Sequence, residues 1–232
     1  MASEEIQSGS NPSELRVGRR GERLKQSLKS AQTRARLIDA TISCIVKYGY
    51  NSTTTPQIAA EANMSRGAML HHFENGAALM KAAIVELHEK RLRAFKRAAS
   101  ANHNDVEVMV RTYWRQVQKP TFIAFHELAL AARTHPDLAR ILLPLQTEYR
   151  KRFKELAVEL FPEWLGNRQE FDAAMAISQI FLEGMAISLF TGGMDQAMVE
   201  PMLQLVEQQI SLRKPKFTQD HSEKNTPNEL IA

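Results

Sequence analysis

A chain of 232 residues can bury one or two cores, and 44% hydrophobic against 24% charged residues is too apolar for a disordered polypeptide. A single cysteine, Cys44, excludes an internal disulfide and suits a reducing compartment, where a lone cysteine serves as a small core residue. The net charge of +4 conceals an asymmetry, because Leu15 to Arg36 holds eight basic residues and one acid, Glu22, for +7, which leaves −3 elsewhere. A concentrated positive end is suited to a polyanion. No apolar run approaches the ~18–20 residues of a membrane span. The opening Met1-Ala2-Ser3-Glu4-Glu5 is acidic and polar, unlike a secretory leader. The expected location is cytoplasmic, with no membrane partner.

In chain order, residues 1–28 lack periodicity and are rich in Ser, Gly and charge, which predicts a disordered basic tail. From about Ser30 the pattern is helical. Leu37, Thr41, Ile45 and Tyr48 recur at three and four residues, Ile38 and Ile42 widen the stripe, and Gly49 ends it. Two short helices are expected over Pro56–Ala62 and Arg66–Phe73. A long amphipathic helix from Gly76 to Ala101 puts Leu79, Ala83 and Leu87 on one face.

The break Asn102-His103-Asn104-Asp105 caps a helix over Val106–Lys119. Pro120 opens another, through Arg133. Periodicity resumes from Leu138 to Leu160, with Pro144 predicting a kink or a split. Two strong helices follow, Arg168–Phe190 and Gln196–Leu212, before a polar tail from Lys214. The reading is all-α: a small N-terminal bundle over 29–75, a larger helical domain over 76–213, and a disordered tail over 214–232.

The segment from Thr53 to Phe73 carries the chemistry. A helix-turn-helix needs two short helices meeting steeply across a tight turn. Ala59 and Ala62 permit close approach, and Asn63 tolerates positive φ in the turn. Met64 points back into the core, and Ser65 is a strong N-cap. Met69 and Phe73, four residues apart, share a buried face with Ile58. Arg66, Gly67, Ala68, Leu70 and His71 remain free to enter a major groove. With Thr54, Thr55, Ser65 and His72 they form the candidate DNA-binding set.

From Thr33 to Leu87 the sequence resembles the N-terminal domain of TetR-family transcriptional regulators. The resemblance rests on Arg36-Leu37-Ile38-Asp39-Ala40 and Tyr48-Gly49-Tyr50-Asn51-Ser52-Thr53-Thr54. It continues through Ile58-Ala59, Met64-Ser65-Arg66-Gly67 and His71-His72-Phe73 to Leu79. Phe125-His126-Glu127-Leu128, followed by Ala131 to Leu138, is similar to a stretch common in the variable domain of these proteins. Three positions depart from the family pattern: Leu70 replaces a usual Tyr, Gly76 a usual basic residue, and Pro56 a frequent phosphate-contacting residue. The resemblance implies a homodimer on a near-palindromic operator. It further implies a small-molecule effector that shifts the fourth helix, here Gly76–Ala101, and releases the DNA.

Candidates for the effector pocket are Met109, Tyr113, Trp114, Phe122, Phe125, His126, Gln179 and Met185, which suit an apolar or aromatic ligand. The dimer seam is expected on the last two helices. Arg168–Phe190 has one apolar face through Phe171, Ala174, Phe181 and Met185. A second runs through Ala173, Ala176, Ile177, Ile180, Gly184 and Ile187, and the final helix adds Met198, Met202, Leu205 and Val206. Adjacent His71 and His72 diverge by about 100° on a helix, so they make a poor metal pair. There is no Cys-x-x-Cys or glycine-rich phosphate loop, and Leu130 stands where a His-Glu-x-x-His motif needs its second histidine. No catalytic residue, metal or cofactor is expected. The alternatives are a ligand-independent architectural DNA binder and a helical enzyme.

Overall fold

A computed structural model describes the backbone of residues 12–101 and 105–215 and the side chains of 22–100 and 105–215. Among the described residues the chain is helical without strands. The order is α1 (Pro12–Ser52), α2 (Thr55–Glu61), α3 (Arg66–Leu70), α4 (Gly76–Ala101), α5 (Val106–Val117), α6 (Pro120–Ala131) and α7 (Pro136–Leu160), then α8 (Arg168–Phe190) and α9 (Val199–Arg213). Short 3₁₀ turns occupy Pro162–Trp164 and Gln196–Met198.

Several expectations change. The helix begins at Pro12, so residues 12–28 are helical where a tail was expected. The reason is cooperativity: a nucleus held by packing lets helix propagate into a sequence that would not start one alone. Residues 1–11 and 216–232 lie outside the described residues, as do Asn102, His103 and Asn104 of the expected break. Asp105 does cap α5, accepting from Val108 N–H at 3.1 Å. Helix α7 runs unbroken through Pro144. One helix, α8, is long and apolar enough by composition to cross a membrane, contrary to the sequence reading, and only 22% of its apolar window is buried. A π turn over Ile177–Phe181 shifts its register, leaving Phe181 37% exposed where a core residue was expected.

The chain divides into two compact units. The first holds residues up to Arg97 together with Arg115–Lys154; the second holds Ala98–Trp114 and the residues from Glu155 onward. Two hydrophobic clusters build the first unit. One joins Leu37, Ala40 and Cys44 of α1 to Ile58, Ala62, Met69, Phe73 and Leu79. The other joins Ile42 and Ile45 to Ala83, Ile84 and Leu87 of α4 and to apolar residues of α6 and α7. Helices α1 and α4 therefore belong to both clusters. The stripe read from the sequence holds at Leu37, Thr41 and Ile45, while Tyr48 is half exposed. Buried Thr41 satisfies its hydroxyl on the Leu37 carbonyl at 2.8 Å.

Gly49 kinks α1 with φ 75° and ψ 169°, a region that is open to little but glycine. The break frees the Tyr50 N–H, which donates to Glu127 Oε1 of α6 at 3.0 Å. A Cβ at residue 49 would stand 2.9 Å from that oxygen. Gly49→Ala should therefore cost about 1–3 kcal/mol of stability. Urea denaturation checks this against Gly166→Ala, where a Cβ meets nothing within 4 Å. Equal midpoints for the two variants would remove the strain argument.

The same unit buries His88 of α4, whose Nε2 lies 3.1 Å from Gln146 Oε1 and whose ring stacks on Tyr149 with centroids 4.8 Å apart. The Arg91 guanidinium covers Phe125 at 4.3 Å and Tyr149 at 4.6 Å. Burial first, and Arg91 second, push His88 down from 6.5 to about 4. Below 6.5 the unfolded chain takes up a proton that the folded chain refuses until about 4. Stability contributed by neutral His88 is therefore whole above 6.5 and falls between 6.5 and 4, by about 3 kcal/mol. His88→Gln should flatten the stability profile in that window. An unchanged slope would place the acid sensitivity elsewhere.

Candidate DNA-binding site

Helix α2 starts on a reciprocal cap. Thr54 donates from its N–H at 2.9 Å and from its hydroxyl at 2.8 Å to Gln57 Oε1. Pro56 sits in its first turn, where a missing N–H costs nothing. Ser43 and Lys47 of α1 both reach Glu61 Oε1 at 2.7 Å and fix the outer side of α2 against α1. The turn then passes through Asn63 at φ 52°, the one positive-φ residue other than glycine among those described. This is the role expected of Asn63, because its short side chain tolerates the left-handed region better than most. Ser65 caps α3, accepting from Ala68 N–H at 3.1 Å. Asn75 caps α4 in the same way, accepting from Ala78 N–H at 2.9 Å.

The inner face of the motif is closed by Ile58, Ala62, Met69 and Phe73, with Met64 partly buried against them. The outer face is open. Thr54, Ser65, Arg66, Gly67, Leu70 and His71 are exposed, and Thr55, Ala68 and His72 are half-buried. Leu70, at 47% exposure, is an apolar side chain held in water on the recognition helix. Arg66 follows the N-cap directly, in the first turn, from which side chains reach base edges. Ending at Leu70, α3 is shorter than the expected Arg66–Phe73, and His71 and His72 form its terminal turn.

Sequence reading missed one residue here. Arg34 of α1 donates to the His72 carbonyl, and its guanidinium lies 4.1 Å from the Phe73 ring centroid. The signal was present: Arg34 stands on α1 one turn before the buried stripe begins at Leu37. The cluster of His88, Arg91 and Gln146 was also missed, although His88 lies four residues after core residue Ile84.

The residues expected to hold an effector are divided between the units. Phe122, Phe125 and His126 belong to the first, where Phe122 and Phe125 are buried and the Phe122 and His126 rings lie 4.0 Å apart. Met109, Tyr113, Trp114, Gln179 and Met185 belong to the second. There Tyr113 donates to Glu183 Oε1 at 2.8 Å, and Trp114 and Met185 are buried.

In the expected seam, Ala176, Ile180, Gly184, Ile187 and Leu205 are exposed, while Ala173, Ile177 and Met202 are half-buried. Val206 is a correction: it is 1% exposed, because the register of α9 turns it inward with Leu203 and Ile210. An apolar groove of about 590 Å³ runs along this face, lined by Ala176, Ile177, Ile180, Phe181, Gly184, Met185, Ser188, Met194 and Met202. Among the described residues no group of three His, Cys, Asp or Glu is placed to hold a metal.

Residues 37–83 match the model of bacterial regulatory proteins of the tetR family. The chain is 27% identical over 170 residues to the uncharacterized HTH-type transcriptional regulator Mb2936c of Mycobacterium bovis, covering 70% of this chain and 85% of that one. It is 26% identical over 136 residues to the HTH-type nicotine-responsive transcriptional repressor HdnoR of Paenarthrobacter nicotinovorans, covering 56% and 70%. A solved member of the TetR family from Streptomyces coelicolor superposes with a TM-score of 0.56 at 21% identity, over 79% of this chain and 99% of that one. The fold and the exposed recognition helix define a helix-turn-helix DNA-binding transcriptional regulator. Its helix-turn-helix domain, over residues 37–83, is of the kind that the tetR-family model describes.

Proposed function

We propose that this regulator is a cytoplasmic homodimeric repressor that reads a palindromic operator and is released from it by a small apolar or aromatic effector. One observation supports the dimer above others. Ala176, Ile180, Gly184 and Ile187 form a stripe on α8 with no charged member, and Ile180 is 74% exposed. Phe190 at 49% and Leu205 at 41% extend the apolar surface. So much uncharged surface on one face marks a contact to be covered. A second copy of the same face covers it with two-fold symmetry, and two recognition helices then read two half-sites. The membrane-like composition of α8 has the same explanation.

The packing of the first unit supports a route for release. Leu79 of α4 packs in the cluster with the recognition helix, and Ala83, Ile84 and Leu87 pack in the cluster with α6 and α7. An effector that favours one arrangement of α4 shifts the population of recognition-helix positions. It acts only by binding the DNA-incompetent state more tightly. The responsiveness of HdnoR to nicotine supports an effector of small, partly apolar character. Phe122, Phe125 and His126, in the unit that holds the recognition helix, are the residues proposed to meet it.

Selection of bound duplexes from a random pool tests the reading. The expected product is a palindrome with half-sites about one helical turn apart or a multiple of it. Recovery of DNA without a common sequence would instead make the chain an architectural binder.

A further inference from the structure

We infer that the N-terminal half of α1 is a second DNA-binding element: a basic helix that lies along the phosphates of duplex flanking the site read by α3. The inference rests on the DNA-binding reading above. It starts from the continuity of α1, which runs without a break from Pro12 to the kink at Gly49, so the arm is joined to the helix-turn-helix core by helix and not by a loop. Among its described side chains the first buried one is Leu37, and from Glu22 to Arg36 every side chain except Thr33 is exposed. The residues from Pro12 to Thr33 span about 30 Å at 1.5 Å per residue, which is the length of roughly ten base pairs.

The register decides the direction. Arg34 marks the side of α1 that faces the end of the recognition helix, through its bond to the His72 carbonyl and its contact with Phe73. In the sequence, Arg23, Arg20 and Arg16 precede Arg34 by roughly three, four and five helical turns. Ser27 and Ser30 fill the same register between them, and no acid does. The register of Arg34, beside the end of the recognition helix, thus carries arginine and serine back along the sequence, and +7 between Leu15 and Arg36 supplies the charge complement to phosphate. In the neighbouring stripe Leu24 and Leu28 are 63% and 55% exposed, and the sequence places Val17 and Gly21 before them and the small Ala31 and Ala35 after. Gly21, Ala31 and Ala35 leave that stripe little to bury, and two arms each carrying +7 repel one another, so a second arm is not the occupant.

The test uses the full chain and fluorescence anisotropy on two duplexes: the site recovered from the random pool, trimmed to its ends, and the same site with about ten arbitrary base pairs added to each side. The wild type is expected to bind the flanked duplex about tenfold or more tightly than the trimmed one. Replacing Arg16→Gln, Arg20→Gln and Arg23→Gln together should abolish that gain and leave the trimmed-site affinity unchanged. The slope of log affinity against log salt on the flanked duplex should fall by up to ~0.9 for each phosphate no longer neutralised. Ser27→Pro keeps every charge but interrupts the helix, and it should lose the gain as well.

Indifference of the wild type to flanks, or a triple variant weakened equally on both duplexes, would overturn the inference. Full retention of the gain by Ser27→Pro would overturn the helical track. Loss of binding to anionic vesicles with the flank effect intact would assign the arginines to a membrane instead. The same salt titration on a 40-base-pair duplex of arbitrary sequence reads the arm whether or not a specific site exists. Failure of the operator reading and failure of the arm are therefore separate results.

Discussion

Gly184→Arg is expected to convert a dimer to a monomer and to abolish operator binding while the chain stays folded. The structure explains why both effects are readable in one variant. A Cβ at residue 184 meets nothing within 4 Å, so a longer side chain has room in the isolated chain. Helix α8 continues through this position, and arginine is a better helix former than glycine. Gly184 also lies in the wall of the apolar groove, beside Ile180 and Ile187. Two copies meeting there would bury two unpaired guanidinium groups against apolar surface, a cost of several kcal/mol. Losing the second half-site removes the gain from simultaneous engagement, roughly a hundredfold or more. Sedimentation velocity and circular dichroism at micromolar concentration check the two halves of the claim. Gly166→Arg, in open surroundings outside that groove, is the control. A variant that remains dimeric would move the interface elsewhere, and a monomeric wild type would remove it together with the palindrome.

Arg66→Ala is expected to weaken binding to the selected operator by about 1–3 kcal/mol, roughly 5- to 150-fold, and to relax one position in each half-site. Arg66 is exposed, follows the Ser65 cap, and has no partner among the hydrogen bonds or ion pairs of the described residues. A guanidinium in that position is free to pair bidentately with guanine O6 and N7. Removing it leaves the cap and the buried face of Met69 and Phe73 in place, so the change in stability should be small. Repeating the selection with the variant checks the claim, because a base contact shows as a new tolerance at one position. A uniform loss on every sequence would make Arg66 a phosphate contact.

The helix-turn-helix was legible because its signals are local. Asn63 in the turn, Ser65 before the helix and apolar residues at Ile58, Met69 and Phe73 each report a requirement met within a few residues of themselves. The helices of the rest of the chain were legible for the same reason, since a 3.6-residue stripe reports one buried face. Most misreadings arose where a distant constraint overrides a local one. Residues 12–28 look like a tail alone and are helix when joined to a packed helix. Pro144 looks like a break, yet α7 runs through it. The π turn at Ile177–Phe181 moves Phe181 outward by changing the register that the sequence count assumed.

Sequence by itself therefore determined the helical class, the DNA-reading motif and the concentration of positive charge before Arg36. Periodicity, caps and composition are properties of neighbouring residues and need no fold to be seen. Only the tertiary structure decided that Val206 turns inward while Ile180 and Gly184 remain open, and that Arg34 reaches the end of the recognition helix. It alone also placed Glu127 on the backbone of Tyr50 and buried His88 among Arg91, Gln146 and Tyr149. Those outcomes join residues far apart in the chain. Their energies come from burial and from hydrogen bonds that exist only once the helices have packed.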